Sequence, residues 1–152
     1  TRGLLSITYQ LALGMEFIHG LSVHHFDMKS DNQSAFNSLS AALKPGGIFL
    51  MDFFNPTYVL NHLVGQETVI KQGISFEINR WAKDGFLYKS IDFTDKKETF
   101  HFEEKVELIS KSDFLEYAFN SGLTWTGMLG DYQLNSFDDQ NSTRMIFLWT
   151  KN

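Results

Sequence analysis

The chain contains no cysteine in its 152 residues, and this absence removes several kinds of chemistry at once. Disulfide bonds, thiolate metal sites and a cysteine nucleophile are all excluded. The five histidines do not suggest a metal site either. His24 and His25 are adjacent, so on a strand they would point to opposite faces, and the other three are scattered at no ligand spacing. We therefore expect no metal ion.

Positive charge and long apolar runs are also scarce. Lys and Arg together number 13 against 18 Asp and Glu, the formal net charge is −5, and no basic run is longer than Lys96-Lys97. This balance offers no electrostatic attraction for nucleic acid or for an anionic membrane, so we expect neither as a partner. The sequence shows no signal peptide and no transmembrane-length apolar run, which makes a cytoplasmic location the default expectation.

Proline occurs only twice, at Pro45 and Pro56, and the two residues flank the most informative stretch of the chain. Leu43–Gly47 reads LKPGG, in which the proline ends a helix and the paired glycines permit a tight reversal. The apolar run Ile48–Met51 then predicts a short strand buried on both faces, as in parallel α/β sheets. Asp52 would lie at the carboxyl end of that strand, where such sheets bind ligands.

The N-terminal part of the chain predicts two helices separated by a strand. Apolar spacing indicates a helix over Gly3–His19, and Gly20 is a plausible cap. Leu21–Phe26 predicts a short strand that ends in Asp27-Met28. A second helix is predicted over Asp31–Lys44, leading into LKPGG.

Aromatic residues, by contrast, are abundant: they make up 15% of the chain and include 15 phenylalanines. Two interpretations fit this number: an aromatic-rich core, or rings that line a pocket or a flat sheet. Alternating polarity predicts strands over Gly73–Arg80, Phe86–Phe93 and Thr99–Ile109, with a hairpin turn at Asp84-Gly85. We expect an antiparallel meander of three or four strands here.

The C-terminal part predicts a helix followed by two extended segments. Ser112 would cap the helix and Gly122 would close it. Leu123–Phe137 is then extended, and Arg144–Thr150 forms a nearly continuous apolar strand. Four helix residues are expected to point inward: Phe114, Leu115, Ala118 and Phe119.

The helix–LKPGG–strand–Asp arrangement resembles the class I S-adenosylmethionine-dependent methyltransferases, of the bacterial small-molecule type. Gly130–Tyr132 and Ser142–Phe147 likewise resemble the C-terminal ends of a bacterial subgroup. The resemblance implies an α/β fold, a Rossmann-like methyltransferase sheet that is incomplete here, with an inserted antiparallel β-meander. It also implies S-adenosyl-L-methionine as cofactor, with Asp27 accepting the adenine amino group and Met28 packing against the ring and contacting it through its backbone.

The sequence departs from this family in two places. The glycine-rich loop after the first strand is missing, together with the acidic residue that holds the ribose. Only Lys29 and Ser30 separate Met28 from the next predicted helix, where the family carries a further central strand. Our hypothesis is that the sequence is a contraction of a longer protein, lacking an N-terminal part and a stretch between Ser30 and Asp31.

The resemblance also divides the chain into three regions: a partial cofactor-binding region over residues 1–56, an inserted substrate-covering sheet over residues 57–111, and a helix and hairpin over residues 112–152 that complete the methyltransferase sheet. Methyl transfer needs positioning more than a fixed nucleophile–base motif, so we predict no specific catalytic residue. Four side chains are candidates to bind the small-molecule methyl acceptor: Asp52, Tyr58, Tyr88 and Tyr132.

A second interpretation is a non-enzymatic α+β module that binds an apolar ligand or a protein partner through an aromatic-lined sheet. The direction of strand pairing distinguishes this module from a methyltransferase. Parallel pairing beside the Ile48 strand would favour the methyltransferase, and a wholly antiparallel sheet would favour the binding module.

Overall fold

The computed structural model describes residues 28–152. The helix predicted over Gly3–His19, the strand predicted over Leu21–Phe26 and the candidate residue Asp27 lie outside the described residues. The described elements, in chain order, are α1 (Met28–Ala42), β1 (Ile48–Phe54), α2 (Pro56–Asn61), β2 (Gln66–Lys71), β3 (Ile74–Lys83), β4 (Phe86–Asp95), β5 (Glu98–Glu107), α3 (Lys111–Asn120), β6 (Leu123–Leu129) and β7 (Arg144–Lys151).

The described residues form two compact units. The first contains residues 28–58 and 110–152, and the second contains residues 59–109. No helix in residues 28–152 has the length and the apolar character that a membrane crossing needs.

Helix α1 begins at Met28, three residues before the predicted start at Asp31. It runs through Ser30 and Asp31 without interruption. The contraction of a longer protein between these two residues stays a prediction. Asp31 lies in the first turn, where a carboxylate interacts favourably with the positive end of the helix dipole. Phe36 and Leu39, one turn apart, are buried and form the packing face of the helix.

The sheet of the first unit has the order β1-β7-β6, and both strand pairs are antiparallel. Parallel pairing beside β1 was the wrong expectation for the described strands, because β1 pairs only with β7 among them. Burial on both faces was also wrong for β1. Phe49, Met51 and Phe53 are buried, while the alternate residues are half-buried or exposed. Only one face of β1 packs against α1 and α3, through Phe36–Phe49 and Phe53–Phe114 ring contacts.

The core of the first unit is a cluster of aromatic rings on the helix-covered face of this sheet. Trp149 and Phe147, alternate residues of β7, are both 0% exposed. The Trp149 ring stacks on Phe147 with centroids 4.8 Å apart and on Phe49 with centroids 5.4 Å apart. Phe36 of α1 meets the edge of Trp149 at 5.6 Å. Buried ring contacts of this kind stabilise a domain beyond the area that they bury.

Helix α3 begins two residues earlier than predicted, because Ser110 and not Ser112 is its N-cap. The Ser110 hydroxyl accepts from the Asp113 backbone N–H at 3.2 Å, and the Asp113 carboxylate accepts from the Ser110 N–H at 3.1 Å. This reciprocal pair is a capping box. The predicted inward position of Phe119 was also wrong: its side chain is 80% exposed. Phe114, Tyr117 and Ala118 form the buried face at helical spacing.

The second unit contains a four-stranded antiparallel sheet of order β2-β3-β4-β5, in agreement with the predicted meander. Its three hairpins turn at Gln72-Gly73, Asp84-Gly85 and Lys96-Lys97, where both residues have positive φ. Paired positive φ values match the twist of the flanking strands. On one face, the Phe93 ring of β4 packs against Phe76 at 4.8 Å and against Phe100 at 5.0 Å.

Replacing the core ring Phe147 tests how much the aromatic cluster stabilises the first unit. We expect Phe147→Ala to lower the free energy of unfolding by about 3–5 kcal/mol, since it removes a fully buried ring from a packed core. Phe119→Ala removes the same atoms from an exposed site and should change stability by no more than about 0.5 kcal/mol. Urea denaturation followed by circular dichroism measures both, and equal losses would contradict the assigned core.

Candidate functional site

The antiparallel register between β1 and β7 brings a carboxylate and a guanidinium together. Asp52 pairs with Ile146, and Phe54 pairs with Arg144. Because side chains alternate along a strand, Asp52 and Arg144 lie on the same face, opposite the aromatic cluster. The Arg144 Nε–H donates to Asp52 Oδ1 at 2.8 Å. Asp52 therefore lies within β1, two residues before its end, and not after the strand as the sequence predicted.

Tyr132 completes this group from the connection between β6 and β7. Its hydroxyl donates to Asp52 Oδ2 at 2.7 Å, so each oxygen of the carboxylate accepts from a different side chain. The centre of the Arg144 guanidinium lies 5.8 Å from the centroid of the Tyr132 ring. The hydrogen bond to Asp52 is the main cause that raises the pKa of Tyr132 above its ordinary value of 10.0. We call Asp52, Tyr132 and Arg144 the strand-end triad.

The connection that carries Tyr132 is braced by its own side chains. The Asp131 carboxylate accepts from the Asn135 side chain and from the backbone N–H groups of Gln133 and Asn135, and these bonds lower the pKa of Asp131. Asp138 accepts from the N–H groups of Asn141 and Gln140, which lowers its pKa in the same way. These hydrogen bonds restrain the backbone of the β6–β7 connection and therefore restrain the position of Tyr132.

Two contacts join this loop to the strands. Gly130 is buried so closely against Ser142 that a Cβ at position 130 would collide with the Ser142 side chain. Asn55, which is 2% exposed, donates through Nδ2 to the backbone oxygens of Asp139 at 2.9 Å and Ser142 at 2.8 Å. The Asn55 Oδ1 accepts from the Thr57 N–H at 3.1 Å, so Asn55 ties the start of α2 to the loop.

The remaining candidates lie apart from this group along the chain. Tyr58 belongs to the short helix α2, and Tyr88 lies in β4, where its ring stacks on Trp81 at 5.3 Å. Met28 is the first residue of α1. Within the described residues, no group of three histidine, aspartate or glutamate side chains could hold a metal ion.

Sequence reasoning selected Asp52 and Tyr132 but missed Arg144 and Asn55. The sequence predicts Arg144 only as the start of a strand, although it is the one charged residue at the head of an otherwise apolar segment. Asn55 was not selected from the sequence. A buried asparagine before a proline could have signalled a side chain that bonds backbone groups, since Asn commonly does so in turns.

A pocket of about 320 Å³ opens on the other face of the sheet, beside the start of α3. Its walls come from the β1–α2 turn, the first residues of α3 and the β6–β7 connection. Lys111 and Asp139 form an ion pair at 3.2 Å among the lining residues.

No protein-family model matches the chain, and no curated protein matches its sequence. Solved structures do match. An S-adenosylmethionine-dependent methyltransferase from Clostridium acetobutylicum gives a TM-score of 0.69 at 18% identity, over 82% of this chain and 52% of that one. The CcbJ methyltransferase from Streptomyces caelestis gives 0.67 at 13% identity, over 82% and 54%. The sugar N-methyltransferase KedS8 from Streptoalloteichus gives 0.56 at 13% identity, over 82% and 50%.

The chain has part of the methyltransferase fold. The predicted fold class is therefore confirmed: a mixed α/β fold, partial, with antiparallel sheets. The chain spans about half the length of these methyltransferases. The likeness holds although every described strand pairs antiparallel.

The described residues do not by themselves fit the methyltransferase cofactor. The glycines with positive φ in residues 28–152 are Gly46, Gly73, Gly85 and Gly122, which follow helices or occupy hairpin turns. None belongs to a glycine-rich loop between a strand and a helix, the loop that lets backbone approach a nucleotide. Asp27 lies outside the described residues. What residues 28–152 supply is the strand-end triad and the pocket.

Removing the charge of Asp52 tests the geometry of the strand-end triad. We expect Asp52→Asn to lower the pKa of Tyr132 toward 10.0, because the hydrogen bond to a carboxylate favours the protonated hydroxyl. NMR titration of tyrosine labelled at ¹³Cζ measures the change, and Tyr132→Phe identifies the signal. An unchanged Tyr132 pKa in Asp52→Asn would contradict the contact between the two side chains.

Proposed function

We propose that this chain is part of an S-adenosyl-L-methionine-dependent methyltransferase acting on a small molecule, and that the strand-end triad faces the methyl acceptor. The proposal is supported mainly by the fold that the chain shares with solved methyltransferases. Asp52, Tyr132 and Arg144 lie near the carboxyl end of β1, which is the end of the strand where α/β sheets bind ligands. We also propose Asp27 and Met28 as adenine-binding residues, on the family resemblance.

The triad suits a neutral nucleophile. The Arg144 guanidinium balances the charge of Asp52, so the carboxylate exerts little net attraction on a protonated amine. A protonated amine has no lone pair to attack with, whereas a neutral amine or hydroxyl does. Tyr132 donates its only proton to Asp52, which leaves its oxygen free to accept an N–H or O–H bond from the acceptor. Such a bond would orient the acceptor lone pair.

Positioning supplies most of the rate enhancement in this chemistry. S-adenosyl-L-methionine would supply an activated methyl group, and transfer of such a group depends on the distance and angle at which the acceptor atom is held. The braced β6–β7 connection holds Tyr132 on a fixed backbone, which favours one orientation of the acceptor. We further propose that residues 57–111 cover the substrate, with Tyr58 and Tyr88 as acceptor contacts.

We propose one chemical class of methyl acceptor to test first. KedS8 is a sugar N-methyltransferase, so an amine on a sugar is one class to test first. The neutral character of the strand-end triad is compatible with an amine that has lost its proton.

Cofactor binding is the first test. S-adenosylhomocysteine at a hundred times its dissociation constant should stabilise a protein that contains this chain by about 2.7 kcal/mol, because it binds the folded state alone. Differential scanning fluorimetry measures the shift in melting temperature, with adenosine as the comparison ligand. No shift in a protein whose sequence includes the glycine-rich loop would refute the methyltransferase proposal.

The role of Tyr132 can be tested in the same protein once an acceptor is found. Tyr132→Phe should lower kcat/KM about tenfold, the value of one hydrogen bond of about 1.4 kcal/mol, and should leave stabilisation by S-adenosylhomocysteine unchanged. Leu134→Ala changes an exposed side chain of the same loop and should leave kcat/KM unaltered. Equal activity in Tyr132→Phe and the native protein would remove Tyr132 from the acceptor site.

The second candidate function is a non-enzymatic module that binds an apolar ligand or partner. Two observations favour it. Every described strand pairs antiparallel. A row of phenylalanine rings also lies on one face of the second unit's sheet, with Phe102 packed against Phe93 at 5.9 Å and 44% exposed. An apolar ligand would bind such a face without any cofactor. Binding of an apolar dye to the protein together with no stabilisation by S-adenosylhomocysteine would favour this function.

A further inference from the structure

The pocket beside α3 is distinct from the strand-end triad. Met145 lines it and pairs with Phe53, whose ring packs against Phe114 of α3. Asp52 and Arg144 lie on the opposite face of the same two strands. The pocket volume of about 320 Å³ falls at the small end of the range of about 300–1,000 Å³ that small-molecule sites occupy. A ligand that fills it would be close to a monosaccharide in size.

The lining combines apolar surface with uncharged polar groups. Leu115, Phe137 and Met145 supply apolar atoms, of which Met145 is fully buried and the other two are half-buried. Thr57 and Ser112 supply hydroxyl groups, each of which can both donate and accept. The surface is therefore suited to a molecule that presents C–H groups on one side and hydroxyls on the other.

The two charged residues of the pocket neutralise each other. The Lys111 ammonium lies 3.2 Å from one Asp139 oxygen and 3.5 Å from the other. The same ammonium lies 5.2 Å from the centroid of the Phe137 ring. Paired in this way, the two residues still offer N–H donors and carboxylate lone pairs, but they give the pocket no net charge. A strongly anionic or cationic ligand would have to break the pair.

The capping box satisfies two backbone N–H groups at the start of α3, those of Ser110 and Asp113. Ser110 and Asp113 bond each other reciprocally in the capping box. The chemistry of the pocket is inferred from the side chains that line it.

We propose that this pocket binds a neutral, hydroxyl-rich molecule of monosaccharide size. Sugars carry C–H patches, which would pack against the apolar side chains of Leu115, Phe137 and Met145. They also carry hydroxyls that both donate and accept hydrogen bonds, and these would bond the paired Lys111 and Asp139. The site does not depend on the proposed methyl transfer. The sugar is a ligand separate from the proposed methyl acceptor, because the pocket and the strand-end triad lie on opposite faces of the sheet.

Titration with simple sugars tests this site directly. D-glucose, D-galactose and N-acetyl-D-glucosamine are added to the ¹⁵N-labelled chain, and backbone amide signals are followed by NMR. At least one sugar should shift the signals of Thr57, Ser112 and Asp139 saturably, and acetate at equal concentration should not. No saturable shift with any of the three sugars would overturn the proposal.

Two variants and one control show where the sugar binds. Phe137→Ala should weaken binding at least fivefold, whereas Leu134→Ala, an exposed apolar residue of the same connection, should leave it unchanged. Asp139→Asn leaves Lys111 unpaired, so this variant should lose sugar affinity and gain saturable binding of acetate. Retained native signal dispersion shows that each variant is folded. Sugar shifts that persist unchanged in both Phe137→Ala and Asp139→Asn would place the site elsewhere and overturn the proposal.

A further variant separates the pocket from the strand-end triad. Tyr132→Phe changes the triad on the opposite face of the sheet and should leave the affinity for the sugar unchanged. Loss of sugar binding in Tyr132→Phe would place the sugar at the triad and overturn the proposal. A failure of cofactor binding would refute the proposed function and leave the sugar titration as an independent result.

Discussion

The antiparallel pairing of β1 with β7 is the constraint on which the first unit depends. β7 lies in the middle of the three-stranded sheet, and its alternate residues Phe147 and Trp149 are completely buried. A slip of one residue in this pairing would move both rings to the opposite face, since side chains alternate along a strand. The aromatic cluster with Phe36 and Phe49 therefore fixes the register.

The same register creates the candidate site. With Trp149 and Phe147 directed toward the helices, Arg144 must point to the other face, and its partner position brings it beside Asp52. An aspartate inside a strand without a cation would be costly to bury, and its side chain is only 15% exposed. Arg144 and Tyr132 donate hydrogen bonds to the Asp52 carboxylate, and these bonds offset the cost of burying it. Core packing on one face thus determines the polar geometry on the other.

Local signals in the sequence predicted the element order well and the finer geometry less well. LKPGG located the end of α1 and the start of β1, and the Asp84-Gly85 turn located one hairpin of the meander. The capping residue of α3 was misplaced because Ser110 and Ser112 are both good caps, and only the contact with Asp113 distinguishes them. Phe119 was misassigned because apolar spacing on a short helix fits more than one face.

The candidate site was only partly predictable for a different reason. Asp52 and Tyr132 were selected from their positions near the ends of elements, but the contact between them joins residues 80 positions apart in the chain. No local pattern encodes that distance; it follows from the β1–β7 register and from the shape of the β6–β7 connection. Arg144 and Asn55 were missed for the same reason, since their partners are residues remote in sequence.

Near the end of β1, each face of this sheet carries an ion pair whose two charges cancel. On one face Arg144 balances Asp52, and on the other Lys111 balances Asp139. Each pair leaves hydrogen-bonding groups available while cancelling its charge. Binding an ion at either place would cost the energy of separating a pair, whereas an uncharged molecule with hydroxyl or amine groups can bond without doing so. The charge pattern therefore favours uncharged ligands on both faces, which agrees with the proposed neutral methyl acceptor at the strand-end triad and the proposed sugar in the pocket.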